Sequence, residues 1–103
     1  MKKPYERIKK QARFTGQPCK YLLVLVCLRI NAQPMKVVEI AKEVKESASS
    51  IEYACKQNAV RSNGNEIPYL KYQMKTKTWK LHPNCVEAVE IADLYCRNEE
   101  EKG

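Results

Sequence analysis

Apolar and polar residues change their spacing several times along the chain, and each change predicts an element. Residues 21–28, YLLVLVCL, are apolar without interruption, and the run continues to Ile30 with no turn signal. Side chains that are apolar all round suit a central buried helix, which the pattern predicts over Pro18 to about Asn31. After the break NAQP, Met35 and Lys36 can form a brief extended piece. Val37, Ile40, Ala41 and Val44 then fall at i, i+3, i+4 and i+7, the spacing of a short amphipathic helix. A further helix follows, with Ser47 or Ser49 as its cap, and runs to Arg61 or Ser62 before the stop signal SNGN. EIPYLKYQ and TKTWKLH are rich in aromatic, β-branched and other apolar residues and predict two strands joined at MKTK. Asn84, just after Pro83, is placed to cap a last helix over about 85–97.

The resulting order is α, short β, α, α, β, β, α. Its 103 residues make one domain. Residues 1–17 read as a basic N-terminal arm, either helical or extended. Residues 18–97 form the body, and 98–103 a solvated acidic tail.

Charge sharpens this division. Residues 1–83 hold 17 Lys/Arg against 6 Asp/Glu, a balance of +11, and residues 84–103 hold 2 against 6, a balance of −4. A small body so basic suits a polyanion, of which nucleic acid is the commonest. The first apolar run lacks a signal-peptide cleavage site and is far too short to span a membrane, for which about 20 apolar residues are needed. Five cysteines with no export signal read as reduced thiols in a cytoplasmic protein.

Enzyme chemistry finds little support. The chain has one His, one Asp and three Gly, with no glycine-rich phosphate loop and no paired acid/base set. His82 and Cys85 are spaced as an H-x2-C pair, which alone falls short of the four ligands of a zinc site, so structural cysteines are the reading adopted. No cofactor, metal or small-molecule substrate is expected.

The two central helices carry the functional signal. Ile40, Ala41, Val44, Ser47 and Ile51 follow a spacing shared by helix-turn-helix proteins: the three larger apolar residues wedge the helices, Ala41 permits close approach, and Ser47 caps the second. With two strands after it, the chain resembles the winged helix-turn-helix DNA-binding family over roughly residues 18–97. The resemblance implies an α+β fold with a three-helix core, a two-stranded wing and an additional C-terminal helix. It departs from the family at three places. Lys45 stands where glycine is frequent in the turn, Glu46 where an apolar residue follows, and Asn58 where a core residue is usual. A left-handed Lys45 would cost on the order of 1–2 kcal/mol, so a longer turn or an extended first helix is expected instead.

At about 100° per residue, Ala48, Ile51, Ala54, Cys55 and Asn58 cluster on one side of the second helix. Ser49, Tyr53, Lys56, Gln57 and Val60 fall on the other, with Ser50 and Arg61 at its edge. That outward set has hydroxyl, amide and cationic donors and no carboxylate, which fits base edges and phosphates. The strand segment has no acid between Ile67 and Val86. As a wing, it is expected to place Lys75 and Lys77 on phosphates while Trp79 and Leu81 pack inward.

The DNA-contacting set is therefore Ser49, Ser50, Tyr53, Lys56, Gln57, Arg61, Lys75 and Lys77. The partner is double-stranded DNA, and the role a small transcriptional regulator. In the last helix Cys85, Val89, Ala92 and Cys96 share one face, while Ile91, Leu94 and Tyr95 fall on the other and imply a homodimer through this helix. The alternative is a winged-helix module for protein–protein assembly, and exposed tyrosines leave single-stranded nucleic acid open.

Overall fold

In the computed structural model the chain is described over residues 4–15, 20–60 and 67–102, the side chains of 11–15, 60 and 97–102 excepted. The elements are α1 (Tyr5–Thr15), α2 (Lys20–Asn31), α3 (Val37–Val44), α4 (Ala48–Val60), β1 (Leu70–Gln73), β2 (Thr78–Leu81) and α5 (Val86–Lys102). This is an α+β fold, five helices with one antiparallel hairpin.

α2 is the axis. Leu22 through Leu28 are all buried, on every side of the helix. That is possible because α1, α3, α4, α5 and β2 each pack against it. The seam between α3 and α4 is closed by Ile40, Ala41, Val44 and Ile51, all buried as their spacing predicts. α5 covers α2 with Ala88 and Ala92, and Cys85 just before it is buried as well. Small residues there let the two helices approach closely.

The hairpin pairs Leu70 with Leu81, Lys71 with Lys80, Tyr72 with Trp79 and Gln73 with Thr78. Met35 adds a third, single-residue rung: its N–H donates to the Trp79 carbonyl at 2.9 Å, and the Trp79 N–H to the Met35 carbonyl at 2.7 Å. The expected extended piece at Met35 is thus an antiparallel bridge that ties the α2–α3 connection to the sheet. Leu70 and Trp79 face the core, and the Tyr72 and Trp79 rings pack with centroids 4.9 Å apart. The predicted connection, Met74 to Lys77, is a four-residue turn without Asn-Gly, closed by Lys77 at φ 56°.

Several sequence expectations change. The first concerns the basic arm, where α1 delivers Tyr5 and Ile8 into the core. Its other ties are the Tyr5 hydroxyl, which donates to Glu43 on α3, and the Arg7 guanidinium, which donates to the Tyr95 carbonyl on α5. The start of α1, Tyr5 to Ile8, is therefore packed against the body.

The second concerns the turn after α3, which is short, Lys45 to Ser47, with the helix ending at Val44. Lys45 itself adopts the left-handed conformation, at φ 61° and ψ 50°. Its N–H and that of Glu46 both reach the Ala41 carbonyl, the latter at 3.0 Å. This 6→1 closure is the geometry glycine usually serves at a helix C-terminus. α5 begins at Val86 and continues to Lys102 rather than ending near 97. Asn84 turns back instead of capping it: its N–H donates to His82 Nδ1 at 3.1 Å.

Candidate nucleic-acid interface

α4 starts where its hydroxyls predict. Ser47 Oγ accepts the Ser50 N–H at 3.3 Å, and the Ser47 carbonyl accepts the Ile51 N–H at 3.1 Å. From there the helix divides as its periodicity requires. Ile51, Ala54, Cys55 and Asn58 are buried, while Ser49, Tyr53, Lys56 and Gln57 are exposed, Tyr53 by 67%. Ala48 is exposed instead of joining the inward set, because the first turn overhangs the core.

Ser50 departs from the expected outward set. It is half-buried, accepts from Ser47 Oγ at 2.8 Å and takes Lys20 Nζ at 3.4 Å. Its hydroxyl serves the α4 entry. Arg61 and the Val60 side chain lie outside the described residues. At the hairpin tip Lys75 and Lys77 are both exposed, beside Met74 at 82%.

Carboxylates are largely turned away from this surface. Glu39 accepts the Lys36 N–H at 2.8 Å at the start of α3. Glu43 accepts the Tyr5 hydroxyl and, at 2.9 Å, the Asn31 amide. Glu46 pairs with Lys9 at 3.2 Å and Lys20 at 4.0 Å. Only Glu52 stands on α4, 3.6 Å from Lys56 with both side chains mostly in solvent. An exposed pair of that kind is worth under about 1 kcal/mol, so a phosphate can take Lys56 from it.

On α5 the expected dimer face is divided. Ile91 and Tyr95 are half-buried against the chain's own core, whereas Leu94 is 57% exposed, one helical row from exposed Val86. A helical projection separates faces but does not show how widely α2 and its neighbours wrap around α5. The H-x2-C pair makes a local turn: His82 accepts the Asn84 N–H on its ring and the Cys85 N–H on its carbonyl, at 3.0 Å. Cys85 is buried, and among the described residues no group of three or more His, Cys, Asp or Glu could hold a metal ion. Nor, among them, is any helix long and apolar enough to cross a membrane.

Asn58 is the feature of α4 that its surroundings serve least. It is fully buried, and among the described residues neither side-chain polar atom has a hydrogen-bond partner. Only its backbone is engaged, accepting the Tyr69 N–H at 3.1 Å and so joining α4 to the start of the hairpin. A buried orphan amide costs about 1–3 kcal/mol. Asn58→Leu removes both polar atoms and keeps the branch point, and is expected to raise stability by about 1 kcal/mol, read as a higher urea midpoint at unchanged slope. A lower midpoint would mean that the amide is satisfied in the fold after all.

Comparison of the chain with protein families, with curated proteins and with solved structures returns no match.

Proposed function

We propose that the protein binds double-stranded DNA as a winged helix-turn-helix regulator, with α4 in the major groove and the β1–β2 hairpin as the wing. The observation that carries this reading is the acid-poor outward face of α4, with Ser49, Tyr53, Lys56 and Gln57 exposed. Hydroxyl, amide and ammonium donors at these positions suit base edges and phosphates alike. Lys75 and Lys77 on the hairpin are the backbone anchors, and Arg61, which follows Val60 in the sequence, is the further cation of the set.

Backbone strain points the same way. Lysine occupies left-handed positions at both Lys45 and Lys77, where glycine would be easier. Strain retained at exposed cations is accounted for if the charge itself is needed there. The one-residue rung at Met35 and the left-handed turn at Lys45, where the family frequently has glycine, support the winged-helix layout. Val86 and Leu94 on α5 are where a second copy of the chain would pack.

Titration of a short mixed-sequence duplex against increasing salt tests the reading. Affinity is expected to fall steeply, with each lysine–phosphate contact contributing about 0.9 to the log–log slope. Lys56→Ala with Arg61→Ala should weaken binding by about tenfold or more and flatten that slope. Unchanged affinity in the double variant removes α4 from the interface. Absence of duplex binding at low salt transfers the function to protein–protein assembly.

A further inference from the structure

Lys9 is a lysine that does not behave as a surface charge. Its side chain is only 14% exposed. The ammonium lies 3.4 Å from the Lys45 carbonyl, 3.2 Å from Glu46 Oε2 and 3.9 Å from Glu6 Oε1. It sits over the α3–α4 turn, on the strained residue and on its neighbour. The other oxygen of Glu46 faces Lys20 of α2, whose ammonium is also 3.4 Å from Ser50 Oγ on the first turn of α4. Two of the three positions at which the chain departs from the family it resembles, Lys45 and Glu46, are thus both in contact with Lys9. α1 is anchored independently of this contact, by Ile8 in the core and by the bonds of Tyr5 and Arg7.

We propose that α1 braces the α3–α4 turn, with Lys9 the positioning residue that holds Lys45 left-handed and so sets the angle at which α4 presents Tyr53, Lys56 and Gln57. Glycine would hold that conformation without help, whereas lysine resists it. The ammonium on the carbonyl and the ion pair with Glu46 supply from outside what the residue type withholds. Lys9 need touch no ligand to matter. A turn that opens part of the time lowers apparent affinity in proportion to the fraction that stays competent. The consequence for binding rests on the DNA reading above; the brace itself does not.

Amide exchange and duplex titration of the full chain test the two halves separately. The Glu46 N–H reports the turn through its bond to Ala41, and the Trp79 N–H, bonded to Met35, reports the body. Lys9→Met keeps the stem and removes the ammonium, and is expected to speed Glu46 exchange about tenfold relative to Trp79, as local opening does. Lys9→Arg keeps the amide slow, and adding Lys45→Gly to Lys9→Met slows it again. On a mixed-sequence DNA duplex, Lys9→Met weakens binding by about fivefold at an unchanged salt slope, because no phosphate contact is lost. Comparison with Lys45→Gly alone allows for the charge removed at 45, and the double variant is expected to recover the loss due to Lys9.

Acceleration of both amides together, or no change at Glu46, overturns the brace. A salt slope lower by about 0.9 in Lys9→Met would make Lys9 a phosphate contact and overturn its role as a positioning residue. If the unaltered chain binds no duplex, the DNA reading falls, and the Glu46 amide still decides whether the turn is braced.

Discussion

Above pH 9 the protein is expected to lose stability steeply and to unfold before pH 12 is far exceeded. Two buried acids that titrate early in an unfolded chain resist doing so in the fold. Burial pushes the Cys55 thiol from 9.0 up to about 12, with Cys27 and Glu52 adding to the effect. The Tyr5 phenol is raised well above its ordinary 10.0, first by burial and then by its hydrogen bond to Glu43 and its closeness to Cys27. Below pH 9 both groups are protonated whether the chain is folded or not, and their contribution is fully present. Between 9 and 12 the unfolded chain releases the Cys55 proton while the fold retains it. Unfolding is then favoured by about 1.4 kcal/mol per pH unit, roughly 4 kcal/mol in all.

From pH 10 Tyr5 adds a second limb of the same sign, so the loss steepens there. Against a total stability of about 5–15 kcal/mol for a domain of this size, that is a large fraction. Urea midpoints measured across the alkaline range check it. Cys55→Ala should flatten the limb that begins at 9, and Tyr5→Phe the one that begins at 10. A wild-type slope retained in Cys55→Ala would show that thiol to be titrating freely in the fold.

That Tyr5 belongs to the core at all marks the boundary of what the sequence discloses. α3, α4 and the hairpin were legible because each repeats its apolar residues at its own period, and α2 because its apolar run continues to Ile30 with no turn signal. Ile40, Val44, Ile51 and Trp79 are buried where those periods place them. In α1 the same signal is present, since Tyr5 and Ile8 lie three residues apart, but Arg7, Lys9 and Lys10 around them read as a basic arm. Charge there concealed an amphipathic helix, because lysine stems can lie along a packed surface while the cation reaches a partner.

The candidate interface divides in the same way. Tyr53, Lys56 and Gln57 face outward because a helical projection fixes their direction. Ser50, which the projection puts at the edge of that face, is half-buried, and its hydroxyl answers to Ser47 and Lys20, a contact from another helix that no projection contains. Ile91 and Tyr95 were separated correctly from the Ala92 face, yet pack on their own chain, since the wrap of neighbours around α5 is a tertiary property. The Lys45 turn was expected to avoid a strained conformation. It adopts one where Lys9, thirty-six residues earlier in the chain, lies against it.

Removing Glu43 is expected to be the most damaging single change among the polar residues. Three donors converge on its Oε2: the Tyr5 hydroxyl from α1, the Asn31 amide at 2.9 Å and the Cys27 thiol at 3.5 Å from α2. One carboxylate oxygen on α3 therefore joins three helices at a half-buried point. Among the described residues, Glu43→Ala leaves the Tyr5 hydroxyl with the Cys27 thiol nearby and Asn31 with its bonds to Cys27. Each buried polar group deprived of its partner costs about 1–3 kcal/mol, so a loss of about 3 kcal/mol or more is expected. α1, whose hold on α3 runs through Tyr5, should loosen first.

Glu43→Gln distinguishes this from mere loss of charge. Its amide oxygen can stand where Oε2 stands and accept the same donors, so the loss should stay near 1 kcal/mol, the difference between a charged and a neutral acceptor. Urea unfolding of both variants, with exchange of the Ile8 N–H that bonds the Pro4 carbonyl at 3.0 Å, reads stability and α1 docking together. Equal losses in Ala and Gln variants would mean that the negative charge, rather than the convergence of donors, holds α1, α2 and α3 at this point.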